Sequence, residues 1–321
     1  MTSLAERILE EREYAIPAKK TAQQPESTGT IHTATTMLDR VRSEHGDSIC
    51  LAFSGGSDSL VLLDLAAKAG IRPTLLWVDT QMEYPESRLF VEQTAERYGL
   101  ELRTARARIT PKEQWQRKGW PMLGKMAARR WMQAHPDRGF ALNVSECCRT
   151  MKIDPARRLT RNLGCTVQLT GQRGLADDSL RGLRDLKDGA LFYQQRDRMW
   201  IANPLTGWTD PDIARYIQRN ALEEHPARSR GAITVGCVFC GGGSQYTNSG
   251  YRILRSTWPE AWHRFMVEWQ AGAVILALKY DVHIDKALEA IKQLGGLESL
   301  AEHNPWLFDY TRIRPRQGYM K

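Results

Sequence analysis

Two groups of residues in this sequence have the types and the spacing that chemistry requires. The first is the run Ser54-Gly-Gly-Ser-Asp-Ser59, which combines two glycines with three hydroxyls. The second is a set of four cysteines in two close pairs, Cys147-Cys148 and Cys237-x-x-Cys240. Glycine lets the backbone approach an oxygen ligand closely, and thiolates bind soft metal ions. The two groups therefore predict an anion-binding turn and a metal or redox centre.

A strand and a helix must position the glycine-rich run. Residues 48–53 form an apolar run typical of a buried strand, and residues 60–67 continue as a buried helix. In this order the N–H groups of the first helical turn point at an anion held in the turn. An ordinary turn with a Ser or Asp cap would leave the two glycines unexplained. We predict phosphate binding by Ser54, Gly55, Gly56, Ser57, Asp58 and Ser59.

Further along the chain, predicted strands alternate with predicted helices. Residues 73–79 and 100–104 are typical of strands, and residues 90–98 between them of a helix. This alternation predicts an α/β fold with a doubly wound, mostly parallel sheet, in which ligands bind at the C-terminal ends of the strands. Asp79 then lies on the same rim as the glycine-rich run, where it either hydrogen-bonds a ribose or adenine edge or caps the next turn.

A later strand ends in a second candidate phosphate contact. Residues 166–170 form this strand, and Gly171, Arg173 and Arg181 follow it. Arginine binds phosphate through two parallel N–H groups, so the segment is typical of a phosphate-contacting element.

Composition limits the class of protein. The chain has 321 residues, a net charge of +8 and no apolar run of 18 residues. A basic chain suits an anionic partner such as a nucleotide or a nucleic acid. The charged N-terminus lacks an apolar signal region, so we expect a cytoplasmic protein without a membrane span. We predict an arm and linker over 1–30, an α/β domain over 31–243, and a helical C-terminal extension with a basic tail over 244–321.

Two basic segments are candidates for holding nucleic acid. Residues 97–130 contain ten Lys or Arg and two acids, with Trp115 and Trp120 interleaved, and the tail carries Arg312, Arg314 and Arg316. The first segment is either a nucleic-acid surface, a lid, or a solvated face.

The adjacent cysteines narrow the choice of metal. Neighbouring residues on a helix diverge by about 100°. Such a pair fits the separated irons of a [4Fe–4S] cluster better than one tetrahedral zinc, although zinc and metal-free thiols remain alternatives. Cys50 and Cys165 lie in apolar, strand-like contexts and are interpreted as small core residues.

At this point the sequence resembles a known family. The run 54–59 resembles the PP-loop of the N-type ATP pyrophosphatases. Five further stretches resemble the PAPS (sulfonucleotide) reductase branch of that superfamily, which also contains the sulfur-inserting enzymes of DNA phosphorothioation: 78–80 with 85–86, 147–155, 170–173, 203–213 and 236–240. The resemblance implies an adenine nucleotide α-hydrolase-like fold, an adenine nucleotide at the loop, and a [4Fe–4S] cluster on Cys147, Cys148, Cys237 and Cys240.

Two departures from that branch shape the functional hypothesis. The branch usually has Lys where this chain has Ser57, so Lys125, Arg129, Arg173 or Arg181 would have to supply the charge. Its reductases also attack with a cysteine near the C-terminus, and no cysteine follows Cys240 here.

The leading hypothesis is therefore an ATP pyrophosphatase-type enzyme that adenylates DNA or RNA for sulfur incorporation. It would use ATP, Mg²⁺ and the cluster, with Asp58 and Arg173 as catalytic residues and a cysteine desulfurase as a possible sulfur donor. The alternatives are a sulfonucleotide reductase that uses an external thiol, and a catalytically silent nucleotide- or nucleic-acid-binding subunit.

Overall fold

The centre of the protein is a six-stranded sheet. The computed structural model describes residues 3–10, 30–174, 190–232, 234–238 and 250–308. In the order β3-β2-β1-β4-β6-β5, all neighbouring strands are parallel except β5 and β6. The strands are β1 Ile49–Ala52, β2 Thr74–Asp79, β3 Leu102–Arg106, β4 Val167–Leu169, β5 Leu191–Gln194 and β6 Met199–Ala202.

The strand order places a cleft next to β1. The chain runs from β1 outward through β2 to β3, and then returns to place β4 on the other side of β1. At such a reversal the connections after the two central strands leave in opposite directions and open a crevice at the C-terminal ends of the strands. The loop after β1 and the loop after β4 meet there.

Helices cover the sheet and continue beyond it. They are α1 Leu4–Glu10, α2 Ile31–His45, α3 Ser57–Lys68, α4 Ser87–Arg97, α5 Pro111–Lys118, α6 Lys125–Ala134, α7 Val144–Cys148, α8 Asp154–Leu163, α9 Asp210–Arg219, α10 Pro226–Ser229, α11 Gly250–Thr257, α12 Pro259–His263, α13 Ala271–Tyr280, α14 Ile284–Gln293 and α15 Leu297–His303. Single π-helical turns, Arg149–Ile153 and Arg264–Glu268, follow α7 and α12, and a 3₁₀ turn, Pro305–Phe308, follows α15.

Two hydrophobic cores hold these elements. The first lies around the sheet and α2, α3, α4 and α9, with Leu51, Leu62 and Leu75 fully buried. The second joins α1 and α5–α7 to the helices after residue 250, with Trp115 and Val274 fully buried. Burial of this much apolar surface is the main stabilising contribution to both parts.

The structure confirms the predicted α/β class, and strands and helices occur where the alternating pattern places them. The sequence analysis missed β5, an exposed antiparallel edge strand with Tyr193 41% exposed. It left the 97–130 segment open as a nucleic-acid surface, a lid or a solvated face, and the positions of two tryptophans count against the first of these. Trp115 is fully buried and Trp120 is 8% exposed, with its indole Nε1 donating to Trp269 O at 3.1 Å, so neither offers a stacking surface to a nucleic acid.

Cys50 and Cys165 do more than fill the core. Cys50 lies on β1 and is 1% exposed, whereas Cys165 lies just before β4 and is partly exposed. Their Cα atoms are 6.0 Å apart and their sulfurs form a disulfide. The interpretation as two separate small core residues is therefore wrong, because neighbouring parallel strands bring them side by side. None of the helices in the described ranges is long and apolar enough to cross a membrane.

Candidate nucleotide and cysteine site

The glycine-rich run forms the turn that its sequence predicts. It leaves β1, and α3 begins at Ser57 with Gly56 at the N-cap. Gly55 has a φ of +77°, a left-handed conformation that favours glycine. The hydroxyls stabilise the turn from inside: Ser54 Oγ accepts from Gly56 N at 3.3 Å and lies 3.2 Å from Ser59 Oγ. The first turn of α3 therefore presents its N–H groups to the crevice.

A cavity of about 720 Å³ lies over this helix start. Loop 54–59 forms one wall, α9 the second, and residues 234–236 the third. Its lining residues are Ser54, Gly56, Ser57, Asp58, Ser59, Arg173, Asp210, Ile213, Ala214, Ile217, Gln218, Glu224, Arg228, Thr234, Val235 and Gly236. The range 54–59 and the residue Gly236 come from motifs that the sequence analysis singled out.

Arg173 and Asp58, the two predicted catalytic residues, meet in this cavity. Arg173 Nε lies 3.1 Å from Asp58 Oδ2, and its NH2 lies 2.5 Å from Asp210 Oδ1. Its remaining nitrogen, NH1, is buried without a hydrogen-bond partner among the described residues. Burial raises the pKa of Asp58, and the neighbouring Arg173 charge opposes that rise only in part. A buried donor without a partner beside a helix N-terminus is suited to meet a ligand oxygen.

Ser57, which replaces the usual lysine, binds an acid. Its hydroxyl donates to Glu224 Oε1 at 2.5 Å, and the same oxygen lies 3.7 Å from Arg228 Nε. The charge of Arg228 also reaches Asp58, since it helps to lower that carboxyl's pKa. The cavity thus contains a second arginine that the sequence analysis missed. Its only signal was the Glu224/Arg228 spacing of four residues, which helices commonly use for ion pairs.

The other predicted cations do not line this cavity. Lys125 and Arg129 lie on α6, which packs with the second core. Arg181 lies outside the described residues. Among the four arginine or lysine substitutes named from the sequence, the structure therefore brings Arg173 to the loop.

Two more predicted nucleotide-binding residues, Gly171 and Asp79, are not among the lining residues of the cavity. A Cβ atom on Gly171 would lie 3.0 Å from both Asp58 C and Ser59 N, so the loop after β4 packs closely on the first turn of α3 and a larger residue would require the backbone to shift. Asp79, 5% exposed, accepts from Arg88 at 2.6 Å and from Gln81 N at 2.9 Å, and Arg106 lies 3.0 Å away. These partners match the interpretation of Asp79 as a turn cap.

A second, narrow cavity is lined by three of the four predicted metal-binding cysteines. Cys147, Cys148 and Cys237 line it together with Met82, Pro121, Met151 and Lys152. Cys237 Sγ lies 3.3 Å from Thr80 Oγ1, and Val238 N donates to Met82 O at 2.8 Å, which fixes the Cys237 turn against the segment after β2. Three of the four predicted metal ligands therefore share one site.

The fourth predicted ligand, Cys240, lies outside the described residues, and within the described ranges no group of three or more His, Cys, Asp or Glu side chains is arranged to hold a metal. The donor chemistry nonetheless suits a thiolate-bound group. The cavity is walled by apolar methionines, with a hydroxyl beside one sulfur and Lys152 to offset negative charge.

The two cavities adjoin along the chain. Gly236 lines the cavity over loop 54–59, and the next residue, Cys237, lines the cysteine cavity. His225 supports the same region. It is 2% exposed, its Nδ1 accepts from Ala227 N at 3.1 Å, and its Nε2 lies 3.0 Å from Ser87 Oγ. Burial lowers the pKa of this imidazole.

Comparison with known proteins identifies the relatives of this site. Residues 48–242 match the phosphoadenosine phosphosulfate reductase domain. The chain is 30% identical over 190 residues to the phosphoadenosine 5'-phosphosulfate reductase of Thiocapsa roseopersicina, which covers 59% of this chain and 70% of that protein. It is 26% identical over 208 residues to adenosine 5'-phosphosulfate reductase 1 of Bacillus subtilis, covering 64% and 79%.

Solved structures with a related fold show more distant likeness. The phosphoadenylyl-sulfate reductase of Candida auris in a phosphate complex is 18% identical, with a TM-score of 0.45, and covers 67% of this chain and 98% of that chain. The U34-tRNA thiolase of Methanococcus maripaludis with its [4Fe-4S] cluster is 14% identical, with a TM-score of 0.38, and covers 75% and 78%.

These relatives correct the main functional hypothesis. The curated relatives at 25–30% identity are named as sulfonucleotide reductases, so the prediction that the chain adenylates a nucleic acid for sulfur incorporation is wrong. It depended on treating the C-terminal cysteine as indispensable to reductase chemistry. The nucleic-acid and cysteine desulfurase partners predicted with it lose their basis, whereas the predicted adenine nucleotide is supported.

Proposed function

Because this chain belongs to the phosphoadenosine phosphosulfate reductase domain family, we propose that it reduces a sulfonucleotide with an external thiol. The substrate is adenylyl sulfate or its 3'-phosphorylated form, and the products are sulfite and the corresponding adenosine phosphate. The observation that supports this most is the adjacency of Gly236 and Cys237. One of these residues lines the phosphate-binding cavity and the next lines the cysteine cavity.

In the reaction, a thiolate attacks the sulfur of the sulfonucleotide. The bond between that sulfur and the phosphate oxygen breaks, the adenosine phosphate leaves, and a thiosulfonate remains on the thiol. A second thiolate then attacks the thiol sulfur, which releases sulfite and forms a disulfide. Two thiols are oxidised and one sulfonate is reduced, so no further electron donor is needed.

The chain's own residues bind and stabilise the leaving phosphate. Negative charge develops on the phosphate oxygen as the sulfur–oxygen bond breaks. The N–H groups at the start of α3 can donate to that oxygen. The guanidinium of Arg173 can do the same, because its buried NH1 has no hydrogen-bond partner among the described residues. Arg228 lines the same cavity as Glu224 and supplies the positive charge that a lysine at position 57 would otherwise provide.

The positions of the cysteines indicate that the attacking thiol comes from another molecule. Cys165 precedes β4 while loop 54–59 follows β1, so these two sites are at opposite ends of parallel strands. Cys147, Cys148 and Cys237 share the separate, narrow cavity. We therefore assign the attacking sulfur to a dithiol protein or a small thiol that enters from outside.

We further propose that Cys147, Cys148, Cys237 and Cys240 hold a [4Fe–4S] cluster. When bound, the cluster would join the Cys237 turn, which directly follows Gly236 of the nucleotide cavity, to the Cys147-Cys148 pair on α7. Zinc is the alternative that the same thiolates permit. Anaerobic purification followed by iron, sulfide and visible absorption measurements separates the two, and a colourless, zinc-bearing protein contradicts the cluster.

Sulfite release tests the proposed reaction. The purified chain is given adenylyl sulfate or its 3'-phosphorylated form together with reduced thioredoxin or glutathione. We expect sulfite from at least one pairing, unchanged in Cys165→Ser and lost in Arg173→Gln. Tight nucleotide binding without sulfite under every pairing would contradict the proposal.

A further inference from the structure

A third cavity lies at the end of the sheet away from the nucleotide site. It has a volume of about 530 Å³. Cys165 and Thr166, just before β4, form its floor, and the turn between β5 and β6 forms one side. Because β1 and β4 are parallel, this end is opposite to the rim that carries loop 54–59. A ligand here would not compete with the nucleotide for space.

The cavity reaches one of the two cysteines of the disulfide. Cys165 lines it and is partly exposed, whereas its partner Cys50 is 1% exposed within β1. An incoming thiolate therefore meets Cys165 Sγ and leaves Cys50 as the departing sulfur. Access selects which sulfur is attacked in thiol–disulfide exchange.

The lining of the cavity carries positive charge. Arg161 and Arg198 both line it, and the acid that also lines it, Asp197, has its carboxylate oxygens 2.9 and 3.0 Å from Arg157 Nε. The ion pair neutralises that acid, so the two arginines dominate the local charge. His45 adds a buried Nε2 that has no hydrogen-bond partner in the described chain. A carboxylate-bearing ligand would satisfy all three groups.

We propose that this cavity is a thiol–disulfide exchange site for an anionic small thiol. The thiolate attacks Cys165 Sγ, a mixed disulfide forms there, and Cys50 leaves as a thiolate. A second molecule of the thiol attacks the sulfur of the first, so that the ligand departs as its own symmetric disulfide and Cys165 becomes a thiol. The protein gains two electrons and the two thiols lose them. The exchange removes the covalent link between the strands that precede the two phosphate-contacting loops.

Mass spectrometry of alkylated protein tests the assignment. The full chain, oxidised, is treated with glutathione for short times and quenched with iodoacetamide. We expect the glutathione adduct on the Cys165 peptide and alkylation on Cys50. An adduct on Cys50, or two thiols already present in protein purified in air, would overturn the proposal.

Two single-cysteine variants test the same assignment without the need to trap a transient mixed disulfide. Cys50→Ala leaves Cys165 as a thiol, and we expect it to take up glutathione from glutathione disulfide. Cys165→Ala leaves the buried Cys50, which we expect to react at least tenfold more slowly. Equal rates would contradict the site, and nucleotide binding by each variant confirms that it is folded.

Charge is tested with two thiols that differ only at their carboxylates. For each disulfide we take the ratio of the reaction rate of glutathione to that of its diethyl ester. This ratio should be higher for the oxidised protein than for a small reference disulfide. Arg161→Gln with Arg198→Gln should reduce that preference by about threefold to tenfold, because electrostatic attraction of an anion is lost. Arg264→Gln, exposed and outside the cavity, is the control. An unchanged preference in the double variant would exclude an anionic ligand.

Discussion

Replacement of Arg228 by Gln should weaken sulfonucleotide binding without disturbing the fold. Ser57 Oγ lies 2.5 Å from Glu224 Oε1, and that oxygen lies 3.7 Å from Arg228 Nε. Arg228 Nε is therefore at most about 6 Å from Ser57 Oγ, and we take a similar distance to a phosphate held by loop 54–59. At that distance two unit charges interact by about 3 kcal/mol at an effective dielectric of about 20.

Solvent reduces this interaction, since the Arg228 side chain is 37% exposed. After screening, a contribution of about 1–1.4 kcal/mol remains, which corresponds to a five- to tenfold increase in Kd for Arg228→Gln. Glu224→Gln keeps an acceptor for Ser57 but removes a negative charge, so it should lower Kd by a few-fold. The double variant should lie near the wild-type value.

Calorimetric titration with adenylyl sulfate, without a reductant, measures these effects apart from turnover. The differences should shrink as salt rises, because mobile ions screen partly exposed charges. Arg219→Gln is the matched control, on α9 beside lining residues but exposed and outside the cavity. If Arg228→Gln and Arg219→Gln bind the nucleotide equally well, Arg228 does not supply the charge that Ser57 lacks.

Three further results should follow from the same region. Burial raises the pKa of Asp58, so nucleotide binding should weaken as pH rises through that pKa and the carboxylate ionises, and Asp58→Asn should flatten the pH profile of Kd. A profile unchanged in the variant would contradict this. Burial lowers the pKa of His225 from its usual 6.5, so the unfolding free energy should be greatest above pH 6.5 and fall on acidification, as urea titrations at pH 5 and 7.5 would show. His225→Gln should lose that difference, and a difference that persists would implicate another group. Gly171→Ala places a Cβ 3.0 Å from backbone atoms and should cost about 1–3 kcal/mol of stability and weaken nucleotide binding. Gly124→Ala, with nothing within 4 Å, should do neither, and equal melting temperatures for the two variants would refute the packing argument.

The loop and the strands around it could be predicted because their signals are local. The stretch around loop 54–59 combines a strand, two glycines and a helix start, and α9 follows the N-cap Thr209 with acids in its first turn, a common capping pattern. The close spacing within each cysteine pair likewise indicates ligand-like cysteines. Such features depend on neighbours in sequence, so a single chain suffices to find them.

The residues that the sequence could not reveal depend on distant contacts. Glu224 meets Ser57 across 167 positions, and Cys165 meets Cys50 across 115. Trp115 is typical of either a stacking surface or a core until the C-terminal helices are placed against it. Its partners there include Phe265 and Trp269, with ring centroids 6.4 and 5.2 Å away. Tertiary packing decides these cases, and no local periodicity encodes it.

The second hydrophobic core makes the cysteine cavity dependent on the far end of the chain. Met82, Cys147 and Met151 belong to the same buried cluster as Val274 and Leu300. A protein shortened at residue 243 would keep all four cysteines and every residue of the nucleotide cavity, yet it would expose the apolar back of the cysteine cavity to water. Grafting the α/β part alone onto another protein would therefore leave the cysteine cavity without the helices that pack behind it, and it would also uncover Val235, which lines the nucleotide cavity and belongs to the same cluster.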